Sequence, residues 1–360
     1  MGRRRTLAIR SVVVGVAVAL VAALPATAQA RDERGQPRLT VMTRNIYLGS
    51  SLTPALTATT PQAFLGAVAT IYGTAQFTNF PARAEALADE IDATEPDLVG
   101  LQEVSQWITT GPGTPPSQDF LEILLAAMTA RSLDYTVVAV SDNANIGPVP
   151  LVSPCGSTVV GACTVTLNDR DVILVRDDKP ALHVFNPQDG NYTAQQFFAP
   201  PLPGAPPVSF NRGWASIDGK YRGERFHFVN THLETQDFPA VQVAQTQEFL
   251  SGPAFGPGAD IAVGDFNSAA DGSTTASYAA LAAAFTDAWV VNGADPGYSC
   301  CQSSTLTNPV SQAGSRIDLV LAHGAVAPVS AQLVGHVPFQ AVPPLWPSDH
   351  SGVVATLRLG

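Results

Sequence analysis

The sequence predicts an α/β protein whose sheets are covered by helices. Three observations carry this. Short strand-like runs recur along the chain, several of them continuously apolar. Segments of 3.6-residue periodicity fall between them, and Pro/Gly-rich strings punctuate the whole. In chain order the strand-like runs are Leu39–Ile46, Asp97–Val104, Tyr135–Val140, Asp171–Arg176, Gly213–Asp218, Arg225–Leu233, Asp260–Phe266, Arg316–Ala322 and Gly352–Leu359. Uninterrupted apolar runs are expected of strands buried on both faces. Asp218-Gly219-Lys220 between two of them reads as a hairpin turn. Arg83–Thr94 is helical by pattern, with Leu87 and Ile91 at i, i+4; Asp119–Arg131, Val241–Leu250 and Ser277–Phe285 read the same way. Gly111–Pro116, Gly147–Pro154 and Ala199–Pro207 read as long loops. No repeat and no linker divides the chain, so one domain is expected over residues 38–360.

The N-terminus has a different logic. Arg3, Arg4, Arg5 and Arg10 precede an uncharged apolar run from Ser11 to Leu24, followed by Ala28-Gln29-Ala30. Basic, apolar and small-residue regions in that order make a secretory signal peptide over residues 1–30, leaving a short segment, 31–37, ahead of the domain. The apolar run falls short of the ~20 residues that span a bilayer. Arg4-Arg5 leaves a twin-arginine route open beside the general one. The expected location is therefore secreted or extracellular.

The full chain has 19 Lys+Arg against 30 Asp+Glu; without the four leader arginines this becomes 15 against 30, a net charge of −15. Such a balance argues against a non-specific nucleic-acid coat, which needs clustered cations to displace phosphate counterions. It does not exclude a nuclease, because a bound divalent cation supplies positive charge locally. At 46% hydrophobic residues the chain has a core to build. No second apolar run reaches membrane length, so no stable insertion is expected after cleavage, and no protein partner is indicated. An even count of four cysteines in an exported chain favours disulfides: Cys155–Cys163 closes a short loop, and a vicinal Cys300–Cys301 bridge is a strained further option. Structural zinc is disfavoured, since neither pair has C-x2-C spacing or a histidine nearby in sequence.

Polar residues crowd the ends of the apolar runs, where a core strand should simply turn into loop. Asn45 ends VMTRN, Glu103 follows LVGLQ and His232 lies within FVNTHL. Asp265 and Asn267 in GDFN are two apart, hence on one side of an extended chain. Asp318 sits among aliphatics in RIDLVL, and Asp349-His350 precedes the final run. Singly, each is an ordinary turn former, solvated acid or core histidine. Together, carboxylates, amides and two histidines on separate strand ends are the inventory of a divalent-metal hydrolase. Oxygen donors with few histidines point to Mg²⁺, with Mn²⁺ or Ca²⁺ as alternatives, rather than zinc.

At these residues the sequence resembles the endonuclease/exonuclease/phosphatase superfamily, which includes deoxyribonucleases, abasic-site endonucleases, bacterial sphingomyelinases and inositol-polyphosphate 5-phosphatases. The matching strings are TRNIYLG, DLVGLQEV, FVNTHLE, AVGDFNS, RIDLVLA and PSDHSGVVATL, in the family's order from residue 41 to the C-terminus. The resemblance implies a four-layer sandwich: two mainly antiparallel β-sheets packed face to face with helices on the outside. It implies Glu103 as the principal metal ligand with Asn45 beside it and Asp349 near the metal. Asp265 and Asn267 would position or activate the attacking water, Asp318 would hold a catalytic His350, and His232 would reach across the scissile phosphate. Negative charge building on non-bridging oxygens would then meet a cation and imidazolium donors. Arg170, just before DVILVR, is the candidate phosphate contact. Tyr47 stands where some nucleases carry an acid, which leaves one or two metals open.

The function expected is a secreted metal-dependent phosphodiesterase acting on nucleic acid or a phospholipid headgroup by attack of water. Phe197-Phe198 and Leu345-Trp346 are the candidate membrane-contact pairs for the lipid case. The alternatives are an inositol-phosphate-type phosphomonoesterase, for which no Lys/Arg cluster is evident, and a non-catalytic exported binding protein on the same scaffold.

Overall fold

The structure, a computed structural model, describes residues 35–360; the signal-peptide assignment lies outside the described residues. Strands β1 (Arg38–Asn45), β2 (Leu98–Gln102), β3 (Gln106–Thr110), β4 (Gln118–Asp119), β5 (Tyr135–Pro150) and β6 (Thr164–Arg176) build the first sheet. After β7 (Leu182–Asn191) comes a small separate hairpin, β8 (Gln196–Phe198) and β9 (Val208–Phe210). Then follow β10 (Gly213–Tyr221), β11 (Glu224–His232), β12 (Ala259–Asp265), β13 (Thr286–Asp287) and β14 (Asp318–His323), which with β7 form the second sheet. β15 (Val326–Val334) returns to the first sheet, β16 (Gln340–Ala341) and β17 (Pro344–Leu345) pair with each other, and β18 (Gly352–Leu359) closes the chain between β15 and β1. The orders are β15-β18-β1-β2-β6-β3-β4, with β5 also on β6, and β13-β14-β12-β11-β10-β7. Among the described residues, only β1/β2 and β11/β12 pair in parallel.

Side-chain alternation turns these sheets into layers. Val41, Leu98, Ile173 and Val353 of the first sheet pack against Ile217, Phe228, Ile261 and Val263 of the second. Each such buried side chain contributes about 1.5–3 kcal/mol relative to exposure. Their neighbours point the other way. Met42, Val99, Leu101 and Val172 meet helices α2 (Pro61–Phe77), α3 (Phe80–Thr94) and α4 (Phe120–Ala130), which follow the short α1 (Thr53–Leu56). Val229, Ala262 and Leu319 meet α5 (Pro239–Ser251) and α6 (Ser277–Ala284). Helices, sheet, sheet, helices is the four-layer sandwich expected. The sheets approach closely at Gly100, where a Cβ would lie 2.6 Å from Val263 and 2.7 Å from Asn230 Oδ1. Asn230 crosses the interface there, its Nδ2 donating to the carbonyls of Leu101 and Val172.

Three local expectations are corrected. The supposed turn Asp218-Gly219-Lys220 lies within β10; the chain reverses at Arg222-Gly223, with φ of 49° and 101°. Gly219 is required for another reason: a Cβ there would come within 2.1 Å of the Phe226 ring. Gly147–Pro150, read as loop, extends β5, whose pairing with β6 shifts register three times. Bulges of this kind let an edge strand carry Gly147 and Pro148. Helix α2 was not anticipated, because Gly66, Gly73 and scattered alanines dilute its apolar face. No described helix is long and apolar enough to cross a membrane.

Candidate active site

Register assembles the site. Parallel pairing sets Asn45 beside Gln102 and His232 beside Asp265, and the antiparallel β12/β14 pair adds Asp318 opposite Asp265. His232, Asp265 and Asp318 thus form a row across three neighbouring strands. Asp349 and His350 arrive from the turn before β18. Ser348 Oγ ties this turn down by donating to the Asn45 carbonyl at 2.7 Å. Buried Arg44, ion-paired with Glu90 of α3 at 2.9 Å, donates to the His350 carbonyl. Arg83, also of α3 and fully buried, donates to the carbonyls of Ile46, Tyr47 and Pro347. The result is a cavity of about 650 Å³ lined by Glu103, Arg212, His232, Asp265, Asn267, Asp349 and His350. Glu103, Asn267 and Tyr47 all have left-handed backbones, φ 57°, 50° and 61°. Strain of that kind costs of order 1–3 kcal/mol per residue and gathers where function fixes a side chain.

The two histidines are held in opposite charge states. His350 Nδ1 lies 2.8 Å from Asp318 Oδ2, and its Nε2 lies 3.7 Å from Asp265 Oδ2. Burial opposes its imidazolium, but Asp318, Asp265 and Asp349 together outweigh burial and hold its pKa well above the usual value. His232 Nε2 lies 3.5 Å from Asp265 and accepts from Asn267 Nδ2 at 3.1 Å. Burial, then Arg212 and His350, push its pKa well below the ordinary histidine value. The expectation of two imidazolium donors is corrected on this ground: His350 is the cation and His232 a neutral ring. Asp265 stands between them, pushed up to about 7 by burial, with His350 opposing and Asp318 adding to the rise. Its Oδ1 accepts from the Asn267 backbone N–H at 2.9 Å, which sets Asn267 beside it.

Glu103 and Asp349 offer carboxylate oxygens, and Asn45 lies beside them with its Oδ1 accepting from Tyr47 N at 2.9 Å. Asn45 Nδ2 bridges Glu103 Oε1 and Asp265 Oδ2, each at 3.1 Å, and Glu103 Oε2 accepts from Leu48 N at 2.7 Å. Burial pushes Asp349 up to about 7; His350 opposes this and Glu103 adds to it. A divalent cation relieves such crowding of buried carboxylates, and an all-oxygen set suits a hard ion, so the residues present fit the metal. Asp265, Asp318 and His350 also come within 4.8 Å of one another, but His350 Nδ1 is taken up by its hydrogen bond to Asp318, and Asp265 stands 3.7 Å from Nε2 as a charged neighbour.

Arg170 is not brought to the site. Its guanidinium donates to the Val104 carbonyl and pairs with Asp119 at 2.6 Å. The reason is parity: β6 begins at Thr164, so alternation turns Asp169 and Asp171 inward and Arg170 to the opposite face. Burial and then Glu103 raise Asp169 to about 7. The arginine at the cavity is Arg212, in the NRGW string before β10, which sequence reasoning missed. Its Nη1 lies 3.1 Å and 3.2 Å from the two His232 ring nitrogens, and its Nη2 is 3.5 Å from Glu234. Burial lowers the Arg212 pKa, but Glu234, Asp169, Glu103 and Asp171 outweigh it and hold the side chain charged.

Cys155 and Cys163 meet in disulfide geometry with Cα atoms 5.9 Å apart, and the sulfurs of the adjacent Cys300 and Cys301 are placed together. The vicinal pair lines the cavity, with Cys301 Sγ 3.9 Å from His350 Nε2. The sequence offered it no neighbouring histidine; the fold supplies one from 49 residues away. Of the membrane-contact candidates, Trp346 is buried with Tyr47 and Leu306, and Phe198 stacks near Phe64, while Phe197 is exposed.

The profile of the Endonuclease/Exonuclease/phosphatase family matches residues 45–350, from the first site residue to the last. The chain belongs to this family. It is accordingly a metal-dependent hydrolase of phosphate esters. A family protein from Bacteroides thetaiotaomicron is similar in structure, with a TM-score of 0.55 and 15% identity over 90% of this chain and 96% of its own. One from Beutenbergia cavernae gives 0.54 and 20% over 90% and 72%. D. rerio TDP2 complexed with a single-strand DNA product gives 0.50 and 16% over 89% and 99%. No curated protein matches the chain at a significant level.

Proposed function

We propose that this hydrolase is an exported phosphodiesterase that engages its substrate at a single phosphate and acts on nucleic acid, with Mg²⁺ as its ion. The observation that carries the diester reading is the opposed charge of the two histidines around Asp265. Held charged by Asp318, His350 has a proton on Nε2 to give to a departing alkoxide. Neutral His232, steadied by Asn267, and charged Arg212 face the phosphate as a polar neighbour and a cation. Asp265 and Asn267, on one side of the chain, orient the attacking water. A bound divalent ion supplies Lewis-acid stabilisation of the charged phosphoryl oxygens. Glu103 and Asp349, with Asn45 beside them, are the residues that would hold it.

Two features support nucleic acid as the substrate. Phe198 and Phe210 line the cavity wall and can stack a base. The structurally similar TDP2 was captured with single-strand DNA. One arginine at the cavity, Arg212, in an acidic chain suits local engagement rather than a long tracking groove. One observation favours a phospholipid headgroup instead: an apolar recess lined by Phe64, Val68 and Ile71 shares Leu52, Leu56, Phe198 and Phe210 with the cavity. Purified protein with Mg²⁺ should cleave single-stranded DNA or RNA faster than sphingomyelin or inositol phosphates, and EDTA should stop it. Preference for sphingomyelin would move the assignment to the lipid reading; phosphate release from inositol phosphates alone would overturn both. Export is supported by the order of the leader's regions. Mass spectrometry of the culture medium should find Arg31, or a residue within a few of it, at the N-terminus, and intact Met1-containing protein held in the membrane would count against export.

A further inference from the structure

We infer that Cys300 and Cys301, once reduced, form with His350 a second metal site, one for thiophilic divalent ions, whose occupation shuts the catalytic site. The backbone places the pair. Gln302 N–H donates to the Asp349 carbonyl at 2.8 Å and Ser351 N–H to the Ser299 carbonyl at 2.7 Å, so residues 299–302 lie strapped against 349–351. Cys300 pairs with His350 across this strap. Ligand atoms of Cys300, Cys301 and His350 all fall within 4.8 Å of one another. His350 Nδ1 is engaged by Asp318, which leaves Nε2 facing the sulfurs; a carboxylate behind a ligating imidazole is the usual support for a bound metal.

Chemistry separates this site from the oxygen site. Two thiolates and an imidazole select Zn²⁺ or Cd²⁺, whereas the carboxylates of Glu103 and Asp349 suit Mg²⁺. As a disulfide the pair has no thiolate to offer. A phosphine reductant opens it: the phosphorus gives two electrons to the S–S bond, water supplies the oxygen of the phosphine oxide, and two thiols form. Cys301 is exposed at the cavity wall, within reach of such a reagent. Metal binding then releases one proton from each thiol and the proton on Nε2, and places the ion on the atom assigned to leaving-group protonation. Inhibition rests on the function proposed above; binding does not.

The test compares the whole protein, oxidised or reduced with phosphine and freed of it under argon, during titration with Cd²⁺ in excess Mg²⁺. Bound Cd²⁺ is counted by equilibrium dialysis, the cadmium–thiolate absorption is followed in the ultraviolet, and diesterase activity is measured in parallel. Reduced wild type should bind Cd²⁺ that Cys301→Ser, treated identically and still carrying Cys155 and Cys163, does not. It should lose roughly 10²-fold or more of its activity at saturation, in line with removal of a proton-transferring histidine. Oxidised protein and reduced Cys301→Ser should each keep most of their own Mg²⁺ activity. Equal Cd²⁺ uptake by reduced wild type and Cys301→Ser, or equal uptake by the oxidised and reduced wild type, overturns the site. Extra uptake with no diesterase activity in any form sustains the site and rejects the proposed function.

Discussion

Glu103→Ala is expected to remove cation-dependent hydrolysis while leaving the fold standing. The carboxylate sits at the end of β2 on a left-handed backbone, next to Asn45, with Asp349 and Asp169 close enough for its charge to raise both. Lewis-acid stabilisation is worth several kcal/mol, so loss of the ion should lower kcat/KM by roughly 10³-fold or more. The fold should be affected far less. Removing the side chain forfeits acceptors for Leu48 N and Asn45 Nδ2, about 0.5–1.5 kcal/mol each, but it also relieves repulsion among buried acids. In chelator, the Tm of the variant should therefore lie within a few degrees of wild type. In Mg²⁺, wild type should gain thermal stability by binding and the variant should not. Calorimetry with and without Mg²⁺, beside the hydrolysis assay, checks both halves. Wild-type activity that persists in chelator would falsify the metal assignment, and a variant that still gains Tm from Mg²⁺ would move the ion away from Glu103.

The layers were legible because each strand of the sandwich core alternates between two apolar environments. Val41 and Met42 face different layers, and so do Ile261 and Ala262, which makes their runs apolar throughout. Segments with one solvated face were harder to place. β7 is largely exposed and polar, and β5 continues through Asn143–Pro150 only because bulges hold it on β6. The acids and histidines of the site were legible for a simple reason: they interrupt apolar strands at their ends, where neither packing nor turn formation needs them together. The site's arginine was not. Whether Asp169 or Arg170 faces inward depends on where β6 begins, and a one-residue difference in register exchanges the faces. Arg212 precedes β10 without any sequence neighbour that marks it, and its role follows from contact with His232, 20 residues on. The nearness of Cys301 to His350 is likewise a product of tertiary structure alone.

His350→Ala is expected to lower kcat by roughly 10²–10⁴-fold on an alkyl phosphodiester, the range of a positioned proton-transferring group. The argument lies in the leaving group. An alkoxide of high pKa departs poorly without a proton, and the geometry supplies one: Asp318 fixes Nδ1 at 2.8 Å, three neighbouring acids hold the ring charged, and Nε2 faces the cavity. His232 cannot stand in, because Arg212 and burial keep it neutral and its Nε2 accepts from Asn267. A p-nitrophenyl leaving group scarcely needs protonation, so on bis-p-nitrophenyl phosphate the same variant should lose much less. Asp318→Asn should reproduce the dependence on leaving group in weaker form, since it keeps a partner for Nδ1 but removes the charge that holds the proton. The measurement is a series of kcat values against leaving-group pKa for wild type and both variants. A steeper slope in His350→Ala than in wild type is the expected result. Parallel slopes would show that His350 binds the phosphate or supports the site without protonating the departing oxygen.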